Sequence, residues 1–452
     1  MAILSGTKRQ ENKKSIPFIT TSIHQDFILA ILLIPLWWIL GVKFFIFHLI
    51  ALLAFMKVLL KKRKTNSKII FPAEIYLLLI FTSVYFISLF INLRNIPALR
   101  LLASVNSLSF WIMGVLIVIA VHNSIDKDGV LSLLGAMRAL GIIYGVYVLL
   151  AYLIWIVGHK FIRIKGPAFY ILPDELIDFI LQKALLLKSS LWLTIIGKDK
   201  IFQRPFPRTP GFNVYGTALG ATMLFLVVMT LAYYKIKKKR GLLPVVLALE
   251  IAALLLSLSR MSVLSLILAG LIVYTISPAR AYDYRLILGM ILIGIILVLI
   301  IIPPQKVIQT FSEFRRGSTY WRGTLYKMTL TQSLEKPFLG HGYKPKTEKV
   351  PIAIGSHSTY LGILFRTGFF GLITFLLFWL NVLRKWWNER KSTTKDPILG
   401  PLWFYSGIAM FGGLFWMMTE DLDAPPIVAF IYFLIIGLIG SIPRWRREDK
   451  SA

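Results

Sequence analysis

The stretch LLPVVLALEIAALLLSLSRMSVLSLILAGLIVYTIS, Leu242 to Ser277, is apolar over 36 residues and is interrupted only by Glu250 and by Ser257-Leu258-Ser259-Arg260. As one straight helix it would measure about 54 Å, nearly twice a hydrocarbon core of about 30 Å. Both of its flanks are basic, Lys235 to Arg240 before it and Arg280 to Arg285 after it, and basic flanks favour the same side of a membrane. The segment is therefore expected to cross, turn at Ser-Leu-Ser-Arg and return, leaving Arg260 at a shallow apex. A cation at that depth is costly and points to a functional role.

The rest of the chain has the same character. Its 452 residues are 57% hydrophobic with a mean hydropathy of +0.72, and apolar runs fall at 27–42, 44–60, 69–92, 107–122, 130–157, 211–234, 242–257, 261–277, 286–303, 357–383, 399–418 and 427–442. The expected fold is an all-α, polytopic integral membrane protein of about twelve transmembrane helices. Residues 1–26 form a cytoplasmic segment, 27–442 one transmembrane domain, and 443–452 a cytoplasmic tail. With both termini inside, Lys61-Lys62-Arg63-Lys64, Arg384 to Lys395 and Arg444-Trp445-Arg446-Arg447 also fall inside, as the positive-inside rule requires. The chain has no cysteine, which excludes disulfides and thiolate chemistry.

The net charge of +30 exceeds what inner loops explain. Two long outer segments, 158–210 and 304–356, carry nine Lys/Arg against four carboxylates and nine against three. That excess argues for an anionic ligand on the outer face, with anionic lipid as the simpler alternative. Within the first segment, Asp174 to Lys183 runs from acidic to basic as a helix dipole favours, and its apolar content suits a helix lying in the membrane interface. His357 stands where the second basic segment meets the tenth apolar run, a setting that His24, His48, His122, His159 and His341 lack. Histidine titrates nearest neutrality, so it can take a proton from a hydroxyl or hydrogen-bond a phosphate. An interfacial hydrogen-bonding role is the simpler alternative.

Four motifs occur in order: Arg208-Thr-Pro-Gly-Phe-Asn213, Ser257-Leu-Ser-Arg260, Arg316-Gly-Ser-Thr-Tyr-Trp321-Arg322 with Pro337-Phe-Leu-Gly340-His-Gly342, and His357-Ser-Thr-Tyr-Leu361 with Gly368-Phe-Phe-Gly371. In this order they resemble the O-antigen ligase and O-antigen polymerase superfamily over about residues 200 to 440. The resemblance implies a plasma (inner) membrane enzyme with its active site on the outer face. Such an enzyme passes a glycan from a polyprenyl (undecaprenyl) diphosphate to an acceptor hydroxyl, inverting, without metal or cofactor. The implied partners are a lipid-linked oligosaccharide donor, a glycan or glycolipid acceptor and membrane lipid, with no nucleic acid. Carried over, Arg208 and Arg260 match essential arginines and His357 the essential histidine. Guanidinium groups suit a departing diphosphate because they are always charged and bind it bidentately.

Arg204, Arg316 and Arg322 are further candidates for substrate contact, and Tyr320 and Trp321 for stacking on sugar rings, interfacial anchoring being the alternative. Two positions depart from the family. Ser358 stands where Asn is common, and Arg366 where an acid is frequent, which argues against a carboxylate partner for His357 on its own helix. Arg366 lies about 13 Å along the helix from His357. It either contacts substrate or forms a structural ion pair, with Glu250 as candidate partner and Arg138 competing for that carboxylate. Glu420-Asp421-Leu422-Asp423 holds a D-x-D that would suit a divalent cation, a solvated loop, or a base partner for His357 from another helix. A transporter or flippase for an anionic lipid-linked glycan is the alternative function, and a non-catalytic assembly protein a third. Transporters commonly carry internal repeats with midplane sites, whereas here the distinctive residues gather on one face of the C-terminal half.

Overall fold

The computed structural model describes residues 22–183, 187–201, 204–238, 241–277, 316–350 and 352–451. Eleven of the twelve apolar runs are helical, and the ninth, 286–303, lies outside the described residues. The first six helices are α1 (Ile23–Leu32), α2 (Ile34–Ile39), α3 (Lys43–Lys64), α4 (Ala73–Ile91), α5 (Ala98–Ser124) and α6 (Lys127–Gly158). α1 and α2 share one apolar run, divided at Leu33, with Pro35 in the first turn of α2, the position that tolerates proline. After the first long polar segment come α10 (Gly216–Lys237), α11 (Leu243–Leu256) and α12 (Arg260–Ile276). The last four helices, numbered in order, are α13 (Arg316–Ser333), α14 (Thr359–Asn388), α15 (Leu399–Trp416) and α16 (Pro426–Ser451).

By length and composition, α3, α4, α5, α6, α10, α14 and residues 426–448 of α16 can each cross a membrane; α1, α11 and α12 are shorter apolar helices. The chain is a multi-pass membrane protein. Helices dominate because a bilayer core offers no water to the backbone, so each spanning segment must satisfy its own N–H and C=O groups. α10 and α16 are almost wholly buried and meet at Phe225 and Tyr432, whose rings stack 5.0 Å apart. Around them α3, α4 and α6 turn large apolar side chains outward, Phe45, Phe86, Phe90 and Leu150 among them. Such a belt is at home in lipid and would be a liability in water.

The Leu242–Ser277 run does break at Ser-Leu-Ser-Arg. Leu258 takes a positive φ of 55°, Ser257 Oγ donates to the Leu254 carbonyl at 2.6 Å, and Ser259 caps α12. α11 and α12 are only about 21 and 26 Å long. They do not pack chiefly on each other: α11 lies against α6 and α10, and α12 against α15. The turn sits on Gly220 of α10, where a Cβ would come within 2.4 Å of Ser259 Cβ.

One feature departs from an all-α fold. The segment between α6 and α10 builds a small three-stranded antiparallel sheet, β1 (Ile162–Lys165), β2 (Trp192–Ile201) and β3 (Arg204–Arg208), in that order. Between β1 and β2 come α7 (Ala168–Ile171), α8 (Asp174–Lys183) and α9 (Lys188–Leu191). The helix expected at Asp174 to Lys183 is present, but its Ile177 and Ile180 pack on Leu191 within this subdomain. β1 and β3 are missed by a hydropathy reading because they are short and half polar, and β2 because its second half carries Lys198-Asp199-Lys200.

α14 contains the other deciding feature. At Gly368 φ is 63° and ψ is −163°, a region essentially restricted to glycine, and the helical hydrogen bonds lapse there. The segment Pro337–Gly342 takes their place. His341 N donates to Phe365 O at 2.9 Å, Gly342 N to Arg366 O at 2.9 Å, Phe369 N to Pro337 O at 2.7 Å and Phe370 N to Phe338 O at 3.2 Å. Ser88 Oγ of α4 donates to Arg366 O at 2.6 Å, and Nδ2 of Asn92, just after α4, to Gly340 O at 3.2 Å. At the opposite end of α14, Trp386 and Trp403 stack 4.6 Å apart, and each indole N–H donates to the other's carbonyl.

A Cβ at Gly368 would lie 2.3 Å from the Phe338 carbonyl. Gly368→Ala is therefore expected to cost about 1–3 kcal/mol in backbone strain alone, with the overlap added, and to lower the unfolding temperature in detergent. Gly323→Ala in α13, where a Cβ meets open space, should be neutral or gain about 0.5–1 kcal/mol. Equal unfolding temperatures for the two variants would contradict the role given to the kink.

Candidate functional site

The start of α14, the end of α11, the start of α10 and the loop joining α15 to α16 gather at one end of the bundle. The basic clusters ending α3, α10, α14 and α16 gather at the other, where Lys385 pairs with Glu74 at 3.0 Å and Arg446 with Glu389 at 3.0 Å. The four sequence motifs thus lie away from those clusters.

His357 has a φ of 61°, uncommon for a residue with a side chain, and its backbone is held on both sides. Its N–H donates to Asp421 Oδ2 at 3.0 Å, and its carbonyl accepts from the Tyr326 hydroxyl at 2.6 Å. Immediately after it, Ser358 caps α14 by accepting from Leu361 N. Thr359 then bonds the 417–422 loop: its hydroxyl donates to Glu420 O at 2.8 Å and accepts from Leu422 N at 2.9 Å.

The ring of His357 turns Nδ1 toward Glu420 Oε2, 3.6 Å away, a close contact longer than a full hydrogen bond. Nε2 is then the nitrogen on the far edge of the ring, and the His357 side chain keeps 28% of its surface exposed. The other oxygen of Glu420 takes a 2.6 Å bond from Arg322 Nη2, while Arg322 Nη1 donates to Thr419 O at 3.0 Å. Arg260, half-buried at the start of α12, lies close enough to feel the like charge of Arg322. Arg208, at the end of β3, donates from Nε to Ser257 O at 2.9 Å and from Nη1 to Asp199 Oδ2 at 2.9 Å. Its buried Nη2 has no hydrogen-bond partner among the described residues. Arg208 therefore braces the Ser-Leu-Ser-Arg turn that carries Arg260, Arg260 neighbours Arg322, and Arg322 holds the carboxylate facing His357.

The acidic loop is the part that sequence reading left open. Glu420 bonds Arg322, Asp421 bonds Lys344 at 2.8 Å, and Asp423 bonds Arg366 at 2.6 Å, so each carboxylate has its own cation. Glu420 faces His357 from another helix pair, one of the three alternatives above. Arg366 corrects the reading of it as a substrate contact. It is fully buried and directs its donors to Asp423, to the Tyr85 hydroxyl at 2.6 Å and to Gly362 O at 3.1 Å. Its partner is Asp423 rather than Glu250, which instead accepts from Thr230 at 2.7 Å, near the charge of Arg138.

Tyr320 and Trp321 are exposed and sit edge to face 5.4 Å apart. The side chains of Arg204 and Arg316 lie outside the described residues. Tyr326, Thr329 and Lys344 were not singled out from sequence. A signal for two of them existed: Arg322, Tyr326 and Thr329 recur at i, i+4 and i+7 along α13, one face of a helix. All three reach the His357 region, Thr329 by accepting from Gly355 N at 3.0 Å.

Burial alone would push the Glu420 carboxyl up, but the His357 ring and the Arg322 guanidinium outweigh it and hold it below its ordinary 4.5. Burial likewise opposes, and the Lys344 ammonium with His357 overcomes, at Asp421, held below its ordinary 3.8. Depressed carboxyl values stabilise the fold above the unfolded-state values, and that stability is lost as pH falls through the folded-state values. The unfolding temperature should therefore drop between about pH 5 and about pH 3. In Glu420→Gln with Asp421→Asn it should start lower at neutral pH and drop less. An unchanged acid slope in that variant would show that the two carboxyls are not held down by the site.

Residues 243–376, from the start of α11 into α14, match the family model described as O-Antigen ligase. A search of curated proteins finds no match to the chain.

Proposed function

We propose, from the match of residues 243–376 to the O-Antigen ligase family model, that this chain is a glycosyltransferase of cell-surface polysaccharide synthesis, of ligase or polymerase type. It moves a glycan from a polyprenyl diphosphate to an acceptor hydroxyl. The observation that carries this reading is the line of groups His357, Glu420, Arg322 and Arg260, in which a histidine backed by a buried carboxylate stands beside two neighbouring guanidinium groups.

In this reading Glu420 orients Nδ1, leaving Nε2 to take the proton of the acceptor hydroxyl. The hydroxyl oxygen bonds to the sugar C1 as the C1–O bond to the diphosphate breaks, and the bonding pair leaves with the diphosphate. Attack opposite to the leaving group inverts C1. Arg260 and Arg322, with Arg208 behind them, receive the charge that develops on the diphosphate, and in a partly water-excluded site their effect exceeds that in bulk water. The histidine proton then passes to solvent. By resemblance to the family the step needs no metal, and the three loop carboxylates already have cationic partners. Tyr320 and Trp321, one or two residues before Arg322, would stack on a sugar of the donor or acceptor. The setting is the plasma (inner) membrane with the site on its outer face, supported by the basic clusters at the other end of the bundle.

Purified protein supplied with a polyprenyl-diphosphate oligosaccharide and an acceptor glycan should transfer the glycan with or without chelator. His357→Ala should lower turnover by about 10²–10⁴-fold and Arg260→Ala by about 10²–10³-fold. Full activity in either variant would remove that residue from the site, and loss of activity with chelator would return the Asp421 and Asp423 carboxylates to a metal role. For orientation, a single cysteine at Ser356 should react with a membrane-impermeant reagent applied outside. Reaction only from the cytoplasmic side would reverse the assigned face.

A further inference from the structure

The subdomain between α6 and α10 contains an apolar tip that its own packing does not use. Within it, Ala168, Phe169 and Leu172 lean on the small cluster of Ile177, Ile180 and Leu191. Tyr170 and Ile171, on α7, point away and are 75% and 77% exposed. Nothing in the folding of the subdomain requires them to be apolar.

Their neighbourhood supplies a reason. α7 lies against the turn between α2 and α3: a Cβ on Gly41 would stand 3.3 Å from Ala168 Cβ and 2.5 Å from Ser190 O, and Gly41 itself has a φ of +75°. Around that turn, Leu36 and Ile39 of α2, Leu40 in the turn and Phe45 of α3 are exposed and belong to the outward apolar belt. The tip thus continues the surface that the bundle presents to lipid. Close by in β1 and just before it, Lys160, Arg163 and Lys165 are exposed, and Lys165 Nζ lies 4.1 Å above the Phe169 ring. An aromatic and a branched aliphatic side chain next to exposed cations is the composition of a membrane–water boundary.

We infer that α7 is a leaflet anchor: Tyr170 and Ile171 enter the boundary between headgroups and acyl chains of the same bilayer that holds the bundle. The anchored subdomain is the one that holds Arg208. β2 pairs with β3 at Gly197 and Arg208, and Asp199 of β2 takes the Arg208 salt bridge. The anchor therefore fixes the height of Arg208 relative to the lipid surface. This inference rests on the chain being a membrane protein and not on the transferase reading, so each can fail without the other.

The chain has no cysteine, so single labels are unambiguous. In proteoliposomes, an environment-sensitive fluorophore on Ile171→Cys should emit at shorter wavelength and be quenched by shallow nitroxide lipids, as for a group about 5–10 Å into the headgroup and acyl boundary. The same label on Tyr170→Cys should behave alike, and on Lys198→Cys, exposed on β2, it should be quenched by aqueous iodide instead. Iodide quenching at 171 as efficient as at 198 would overturn the anchor. A blue shift at 171 without quenching by nitroxide lipid would also overturn it, since the label would then be covered by protein, such as a second copy of this chain. Both side chains are surface-exposed, so the substitutions leave folding intact.

Discussion

A broken helix inside a bilayer must find new partners for its freed backbone groups, because lipid offers none and each unmet group costs several kcal/mol. α14 breaks at Gly368, and the groups it frees are taken up by the backbone of Pro337–Gly342, itself held by Asn92 just after α4, and by Ser88 of α4. Much else follows from that requirement. It fixes the polar segment before His357 onto α14, it brings α4 against the same turn, and it sets Arg366 where its side chain meets Asp423. The loop bearing Asp423 also bears Glu420 and Asp421, which touch the His357 ring and the His357 amide. The candidate site is thus held in place by backbone hydrogen bonds at residues 365 to 370 of α14, two to four turns beyond its histidine.

Charge follows the same economy. A buried ion left alone is far more costly than one that is paired and hydrogen-bonded, and the three loop carboxylates each have a cation. Arg260 and Arg322 neighbour one another, and Arg208 carries a buried nitrogen without a hydrogen-bond partner among the described residues. Like charges so placed leave a local positive potential, and a diphosphate is the kind of group it would attract. Of the Lys and Arg in the long polar segments, Arg208, Arg322 and Lys344 reach this end of the bundle.

What was readable in the sequence is what depends on neighbours a few residues apart. Apolar runs gave the helices, and the length of Leu242–Ser277 against a bilayer demanded the turn that Leu258 and the serines make. The order of the motifs singled out Arg208, Arg260 and His357 as candidates. The sheet escaped because β1 and β3 are four and five residues long and half polar, and β2 carries Lys198-Asp199-Lys200 in its second half; in α8, Ile177 and Ile180 pack inside the subdomain while Leu176 and Phe179 stay exposed.

Partner choice among charges is a different kind of information. Arg366 and Asp423 are 57 residues apart in sequence, and Asp421 is 64 from His357. Glu250 was the carboxylate expected for Arg366, and only the fold shows that Asp423 takes its place. Composition and periodicity by themselves determined a multi-pass helical bundle with its distinctive basic and aromatic residues in the C-terminal half. The tertiary structure alone decided which acid faces the histidine and which arginine is buried as a brace, because those outcomes depend on where a helix breaks and what packs into the break.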